Sequence, residues 1–268
     1  RFPLRPDEND VGLFEPMAGA ILSDRVLSLF RETLLAAGVE IREHTNVAQI
    51  ETLPHCAQIK TATDIIECEQ VIVTAGPWTR ELLPASRLVS PLRLWNMLWA
   101  HYEVEPDAQF PQWFYFRRED PAREDGGLYY GFPRLDCDAE GRARVKVGID
   151  WTPDALQAAS MSELCTTPEP VLLELLQAFL DRHVDGIGQR LDVQLSPYTM
   201  TPDVKFVLDR LDERTVCFTG GSGQAFKFCP LIGAVLADLA MQRNPCVDIT
   251  PLAAGRFGAM ASPLQATQ

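Results

Sequence analysis

The chain has 268 residues, 46% hydrophobic and 23% charged, which is the composition of a soluble globular protein with one large or two small cores. Its formal net charge of -13 argues against a nucleic-acid or anionic-membrane partner, because both require clustered lysine and arginine. The sequence has no apolar stretch long enough for a membrane span, and residues 1–6 lack the apolar core of a signal peptide, so we expect a cytoplasmic protein. Its seven scattered cysteines support neither a disulfide framework nor a zinc site, so no bound metal is expected.

The N-terminal part of the chain predicts an α/β layer. Residues 24–37 have the spacing of an amphipathic helix, with Ser23 as N-cap, Gly38 as C-terminal stop and one face packed on a sheet. Alternating segments predict short strands at residues 39–42, 48–51, 57–60 and 64–67. Residues 70–74 form the nearly continuous apolar run of a buried parallel strand, which ends in the Ala-Gly-Pro-Trp turn at residues 75–78.

The middle of the chain is richer in aromatic residues and predicts a separate antiparallel sheet. Its longer strands are expected at residues 92–104, 113–117, 128–132 and 142–150. A helix then follows Thr167, its predicted N-cap, and ends at Asp185 and Gly186. This order predicts an α/β fold of mixed α+β character with two domains, one of residues 1–88 and 200–268 and one of residues 89–199.

One strand of this sheet carries alternating apolar and polar side chains. In residues 142–150, Val145, Val147 and Ile149 point to one face. Arg144, Lys146, Gly148 and Asp150 point to the other, which by period alone is a solvated outer surface.

Near the C-terminus, a glycine-rich segment separates a strand from a helix. Residues 215–219 are β-branched and aromatic, residues 231–241 are helical in pattern, and Gly220, Gly221 and Gly223 lie between them. Glycines at such a corner let backbone N–H groups approach a ligand near the partially positive end of a helix. The segment is not a dinucleotide fingerprint, because Phe226 stands at the third glycine position.

Six motifs in register resemble those of the sarcosine oxidase and N-methyltryptophan oxidase family, within the glycine oxidase and D-amino-acid oxidase superfamily. They are Phe-Glu-Pro at 14–16, Val-Ile-Val-Thr-Ala-Gly-Pro-Trp at 71–78, Tyr-Tyr-Gly-Phe-Pro at 129–133, Val-Lys-Val-Gly at 145–148, Tyr-Thr-Met-Thr-Pro-Asp at 198–203 and Ser-Gly-Gln-Ala-Phe-Lys-Phe at 222–228. The resemblance implies a two-domain flavoprotein, with an α/β FAD-binding domain and an antiparallel-sheet substrate domain. It also implies oxidation of a secondary amine or N-methyl amino acid to an imine, with oxygen reduced to hydrogen peroxide.

The resemblance also assigns roles to particular residues. Lys146 matches the lysine that promotes oxygen reduction, Tyr130 and Tyr198 match aromatic residues of the substrate pocket, and Lys227 matches the lysine that pairs with the substrate carboxylate. Asp150 stands where monomeric sarcosine oxidase has a histidine, which indicates a different amine preference. The positions matched to cofactor contacts are Val47, Ala75, Gly76, Trp78, Gly221, Ser222, Gly223, Gln224, Phe226 and Lys227.

Two departures from the family concern the flavin. Ser196 occupies the position of the cysteine that tethers the flavin in monomeric sarcosine oxidase, and a hydroxyl lacks the thiolate needed for that bond, so dissociable FAD is predicted. The chain also lacks the first βαβ unit with its G-x-G-x-x-G turn, so it is expected to be a fragment of the C-terminal part, and by itself to bind FAD poorly. A dehydrogenase using another electron acceptor and a truncated, non-catalytic homologue remain alternatives.

Overall fold

The computed structural model describes residues 3–83, 91–117, 127–153 and 156–257. The chain divides into two compact units. Unit 1 comprises Arg1–Ile21, Trp95–Gln157 and Cys165–Pro197, and unit 2 comprises Leu22–Leu94, Ala158–Leu164 and Tyr198–Gln268. The division of the chain into a FAD-binding and a substrate-binding domain stays a prediction.

Unit 1 is built on a six-stranded sheet. Its strands are β5 (Arg93–Glu103), β6 (Trp113–Phe116), β7 (Leu128–Gly131), β8 (Asp136–Cys137), β9 (Ala143–Asp150) and β10 (Arg190–Met200). They follow the order β10-β5-β9-β7-β6, and β8 also pairs with β9. The pairs β5–β9, β6–β7, β7–β9 and β8–β9 are antiparallel, as the sequence predicts.

The core of unit 1 lies between one face of this sheet and helix α3 (Pro170–His183). Val145, Val147 and Ile149 are each 1% exposed, which confirms the alternation predicted for their strand. From α3, Leu172, Leu176, Phe179 and Leu180 enter the same cluster. The Phe179 ring stacks on Tyr129 with ring centroids 3.9 Å apart. This packing of the helix on one face leaves the opposite face of the sheet for polar side chains.

Unit 2 contains two three-stranded sheets. The first has the order β1-β2-β3, with β1 (Val47–Thr52), β2 (Ala57–Thr61) and β3 (Ile65–Cys68). The second has the order β11-β12-β4, with β4 (Val71–Val73), β11 (Val207–Arg210) and β12 (Thr215–Thr219). Its helices are α1 (Ser23–Ala36), α2 (Thr79–Leu82) and α4 (Cys229–Ala240). The mixed α/β fold class with an antiparallel sheet is therefore confirmed.

The parallel strand predicted at residues 70–74 is confirmed. β4 pairs in parallel with β12, with Val71, Ile72 and Val73 opposite Thr215, Val216 and Cys217. Val71 and Val73 are buried, and Ile72 points to the exposed side. Two strands that run in parallel end at the same edge of their sheet, so the segments following them are neighbours.

Several local predictions were wrong. Residues 39–42 are not a strand. Ser23 lies inside α1, and Thr167 precedes α3, whose N-cap is Glu169; neither helix has a side-chain cap. No residue of α1 is buried, so its apolar face does not pack on a sheet within the described residues.

In the part of the chain that the structure describes, no helix has the length and apolarity needed to cross a membrane.

Candidate functional site

Two groups of the predicted site residues come together, one within each unit. In unit 1 they share the sheet face opposite α3, which we call the polar sheet face. It is defined by Trp99 of β5, Tyr130 of β7, Lys146, Gly148 and Asp150 of β9, and Ser196 of β10. Pairing of His101 with Lys146 and of Tyr130 with Gly148 sets the register of this face.

Lys146 is a half-buried cation held by aromatic rings. Its Nζ lies 4.0 Å from the ring centroid of Trp99 and 5.5 Å from that of Phe132. Among the described residues, this Nζ has neither an ion-pair partner nor a hydrogen bond. Burial lowers the pKa of this ammonium below its ordinary value. A cation without a counter-ion in a partly dry setting is suited to stabilise negative charge that develops beside it.

Trp99 is itself held from two sides. Its indole Nε1 donates a hydrogen bond of 2.9 Å to Ser196 Oγ. The ring of His101 meets it edge-on, with centroids 5.2 Å apart. His101 Nδ1 lies 2.9 Å from an Asp192 carboxylate oxygen, so this second neighbour is fixed as well. The indole ring that contacts the Lys146 ammonium therefore has a defined orientation.

Further along β9, a glycine makes room for a tyrosine. A Cβ on Gly148 would lie 2.4 Å from both Cζ and Oη of Tyr130, so only glycine lets the ring cross β9 there. Tyr130 is 7% exposed. Asp150 follows two residues later on the same face, and burial raises the pKa of its carboxyl. The polar sheet face thus presents an ammonium, a phenol and a carboxyl in this order along β9.

The second group lies at the carboxyl edge of the parallel strands β4 and β12. After β4 come Ala75 and a short 3-10 helix, Gly76–Trp78, in which Gly76 has φ +52 and Trp78 is exposed. After β12 comes the segment of residues 220–228, which we call the glycine corner. In open α/β sheets, ligands bind outside the carboxyl ends of the strands.

The glycine corner has a tightly specified backbone. Gly220 and Gly223 have φ +67 and +70, and Ser222 has φ +46. A Cβ on Gly223 would lie 2.3 Å from Cε2 of Tyr198, so the tyrosine ring lies directly on the turn. The Ser222 N–H donates to Thr199 O at 3.1 Å, and Ser222 Oγ donates to Gly220 O. Ser222 is buried, so its hydroxyl holds the turn from inside.

The remaining predicted residues are more exposed. Gln224, Phe226 and Lys227 lie on the surface, the last two in the 3-10 helix Phe226–Phe228 that leads into α4. The Lys227 Nζ lies 5.5 Å from the Phe228 ring. Val47 opens β1, in the other sheet of unit 2, and is half-buried. The strand-corner-helix arrangement predicted for this region is confirmed, with one added helical turn.

The sequence offers Trp99 as one of several tryptophans that could shape a pocket, but it does not predict the contact of Trp99 with Lys146. Trp99 lies two residues before His101 in a predicted strand, and this spacing places both side chains on the same face of the sheet. It does not show which residues of other strands lie beside them. Only the pairing of β5 with β9 brings the Trp99 ring to Lys146. Ser196 was singled out for its place in a motif, but its bond to Trp99 was not foreseen.

A cavity of about 620 Å³ in unit 2 is a weaker candidate. It lies where β4 and β12 begin, at the edge opposite the glycine corner, and is lined by Gln70, Arg210, Glu213, Arg214, Leu239, Gln242 and Arg243. The guanidinium groups of Arg210 and Arg214 donate to backbone carbonyls that include those of Glu213 and Leu53, so they serve the fold. The described residues contain no cluster of three or more His, Cys, Asp or Glu that could hold a metal ion.

Comparison with known proteins finds a matching family model, related sequences and similar structures. Residues 1–239 match the model of the DAO family, described as FAD dependent oxidoreductase. The chain is 27% identical over 265 residues to N-methyl-L-tryptophan oxidase of Salmonella heidelberg (strain SL476), covering 96% of this chain and 66% of that protein. It is 29% identical over 252 residues to monomeric sarcosine oxidase of Bacillus sp. (strain B-0618), covering 91% and 61%. The chain thus spans just under two thirds of these relatives.

Among solved structures, the chain resembles the open form of NikD, an unusual amino acid oxidase essential for nikkomycin biosynthesis. The TM-score is 0.71 at 24% identity, over 85% of this chain and 58% of that one. This likeness concerns the fold of the aligned part.

Proposed function

This chain belongs to the DAO family of FAD-dependent oxidoreductases, and we propose that it takes part in oxidising the secondary amine of an N-methyl amino acid to an imine. Oxygen is the proposed acceptor of the electrons and hydrogen peroxide the product. The relatives named above, an N-methyl-L-tryptophan oxidase and a monomeric sarcosine oxidase, support this substrate class. The observation that carries the proposal is the half-buried ammonium of Lys146, which lies on an aromatic ring and has no ion-pair partner among the residues that the structure describes.

The residues present fit the flavin end of a bound FAD. The Gly76–Trp78 turn and the glycine corner lie at one sheet edge, and Gly220 and Gly223 have a backbone that other residues adopt only with strain. We infer that Ala75, Gly76 and Trp78, together with Gly221, Ser222, Gly223, Gln224, Phe226 and Lys227, hold the flavin, and that Val47 contacts its adenine end. Bound FAD supplies the hydride acceptor for the C–H bond next to the substrate nitrogen.

The side chains have distinct proposed roles toward the substrate. Tyr130 and Tyr198 are each proposed to contact the amine through ring and hydroxyl, and the exposed ammonium of Lys227 to pair with the substrate carboxylate. Asp150 lies toward the far end of the substrate and sets which amine is accepted. Because the nitrogen lone pair assists loss of the hydride, the amine must bind in its neutral form, having given its proton to solvent before it binds.

Lys146 is proposed to act on the second half of the reaction. Reduction of oxygen creates superoxide or peroxide charge, and a fixed ammonium lowers the energy of that charge. The aromatic rings that contact Lys146 keep it positioned without neutralising it, as a carboxylate partner would. We further propose that FAD is bound noncovalently, because Ser196 offers a hydroxyl at the tether position.

The cytoplasm is the proposed compartment. None of the seven cysteines forms a disulfide. Free thiols persist where the surroundings are reducing. Detection of the protein in a cell fraction where disulfides form would contradict this assignment.

Steady-state assays test the proposal. Flavin-loaded protein is given N-methyl amino acids, and oxygen consumption and peroxide formation are measured together. We expect equal amounts of both, and a loss of about 10²-fold or more in the oxygen reaction for Lys146→Met, the usual size for removing one charge-stabilising group. Turnover with an artificial dye but not with oxygen would instead identify a dehydrogenase. Protein that takes up no FAD would contradict catalysis by this chain.

A further inference from the structure

The contacts of Lys146 lead to a second residue with a defined task, which rests on the role proposed for Lys146. We propose that Trp99 is a positioning residue that holds the Lys146 ammonium over its indole face, and that Ser196 in turn fixes the indole. Neither residue is required to touch the substrate.

The geometry of the ammonium supports this inference first. At 4.0 Å from the Trp99 centroid, Lys146 Nζ is well inside the roughly 6 Å range in which an aromatic face attracts a cation. The Phe132 ring is more distant, at 5.5 Å. Tryptophan also has the strongest such attraction among the aromatic side chains. Trp99 is therefore the principal contact of this cation within the described residues.

The fixation of the indole is the second support. A tryptophan side chain has two free torsions, and the Nε1 hydrogen bond to Ser196 Oγ together with the edge of His101 restrains both. β5 lies between β9 and β10 in the sheet, so Trp99 is flanked by the strands that carry Lys146 and Ser196. A serine hydroxyl at this place thereby has a function of its own, as acceptor for the indole.

The charged groups around Lys146 do not replace this support. Across the strand pair, His101 is bound to Asp192, and Arg144 is bound to Asp136. Asp192 also lies 3.7 Å from Arg144 Nη1. Asp150 lies on the same face of β9 as Lys146, beyond Gly148. The carboxylates of Asp136 and Asp192 therefore both face the guanidinium of Arg144. Within the described residues, the aromatic face is the feature that favours the charged form of Lys146.

Competitive labelling measures this directly and needs no flavin. The protein is treated with trace acetic anhydride over a neutral to strongly alkaline pH series, and acetylation of each lysine is quantified by peptide mass spectrometry. Only four lysines exist, and exposed Lys205 is the internal reference. In Trp99→Leu, which keeps the site apolar but removes the aromatic face, we expect the proton affinity of Lys146 to fall about threefold to fivefold. Trp99→Phe should retain most of the affinity.

Two further variants make the result specific. Ser196→Ala should change the Lys146 curve in the same direction by a smaller factor. Phe116→Leu, an aromatic-to-leucine change at an exposed end of β6, should leave it unchanged. An unshifted curve in Trp99→Leu, or an equal shift in Phe116→Leu, would overturn the inference.

A kinetic measurement on flavin-loaded protein separates this inference from the proposed function. Reoxidation of the reduced protein by oxygen should slow in Trp99→Leu, to a lesser degree in Trp99→Phe, and most in Lys146→Met. A labelling shift with unchanged reoxidation in Trp99→Leu, while Lys146→Met is slow, would overturn the role of Trp99 in the reaction. Unchanged reoxidation in Lys146→Met would refute the role of Lys146 itself, and labelling alone would then decide whether Trp99 holds it.

Discussion

Trp99 donates its indole N–H to the hydroxyl of Ser196 across 2.9 Å, and the same indole lies under the ammonium of Lys146. The three side chains come from β5, β10 and β9. They link the residue at the predicted tether position to the residue proposed to activate oxygen. At the predicted tether position, Ser196 thus accepts a hydrogen bond from Trp99.

Removal of the Ser196 hydroxyl should destabilise the protein. In Ser196→Ala the half-buried Nε1 of Trp99 loses its acceptor, and we expect a decrease of about 1 kcal/mol in the free energy of unfolding. Urea unfolding monitored by tryptophan fluorescence measures it. Ser162→Ala removes an exposed hydroxyl and serves as the matched control, with little change expected. Equal stabilities of the two variants would contradict the importance of the Trp99 bond.

Denaturation should release the flavin. Because Ser196 has no thiolate, acid precipitation of flavin-loaded protein is expected to give a yellow supernatant and a colourless pellet. Absorbance of both fractions in the visible range is the measurement. A yellow pellet that retains its colour after washing would show a covalent link and refute this prediction.

Gly223 should not tolerate a side chain. Its φ is +70 and a Cβ would lie 2.3 Å from Tyr198, so Gly223→Ala is expected to lose about 1–3 kcal/mol of stability and to bind less flavin. Gly233 in α4 is the matched control, because nothing lies within 4 Å of its Cβ position. Gly233→Ala should be neutral or gain up to about 1 kcal/mol through helix propensity. Thermal unfolding and flavin content are compared in both variants.

Asp150 should make stability depend on pH. Burial raises the pKa of its carboxyl, so the folded protein holds this proton more tightly than the unfolded chain, and stability falls as pH rises above the ordinary value of 3.8. Asp150→Asn avoids that cost and should be more stable at neutral pH, by on the order of 1 kcal/mol. The gain should vanish below pH 3.8. A gain that persists at low pH would point to another cause.

The ion pair of Arg256 with Asp203 should have the opposite pH dependence. Arg256 Nε lies 2.8 Å from Asp203, and this bond lowers the pKa of the carboxyl to about 2. Its contribution is complete above pH 3.8 and is lost as pH falls through about 2. Arg256→Gln should therefore cost about 1–3 kcal/mol at neutral pH and progressively less in acid. Urea unfolding at several pH values tests this; a cost independent of pH would show that the carbonyl contacts of Arg256 dominate.

The sequence by itself determined the kinds of secondary structure and the segments that carry the chemistry. Hydrophobic period is a local property, so β9 and its two faces, the parallel strand β4 and the glycine corner were all predictable. The motifs in register were enough to indicate the family. The helix caps were less predictable. Both helices begin without a side-chain cap, so the presence of Ser23 or Thr167 near the start did not fix the first residue of the helix.

The tertiary structure alone decided which of these residues meet. Strand pairing joins residues distant in the chain, and the bond between Trp99 and Ser196 spans 97 positions. The apolar face of α1 is likewise a local pattern, but whether it is covered depends on what packs against it, and within the described residues none of it is buried. The sequence singled out Ser196 as a residue without a thiolate. The pairing of β5 with β9 and β10 places Ser196 where it accepts the hydrogen bond of Trp99, beneath Lys146. The sequence of one strand does not determine which strands pair with it or in which register, because register depends on both partners.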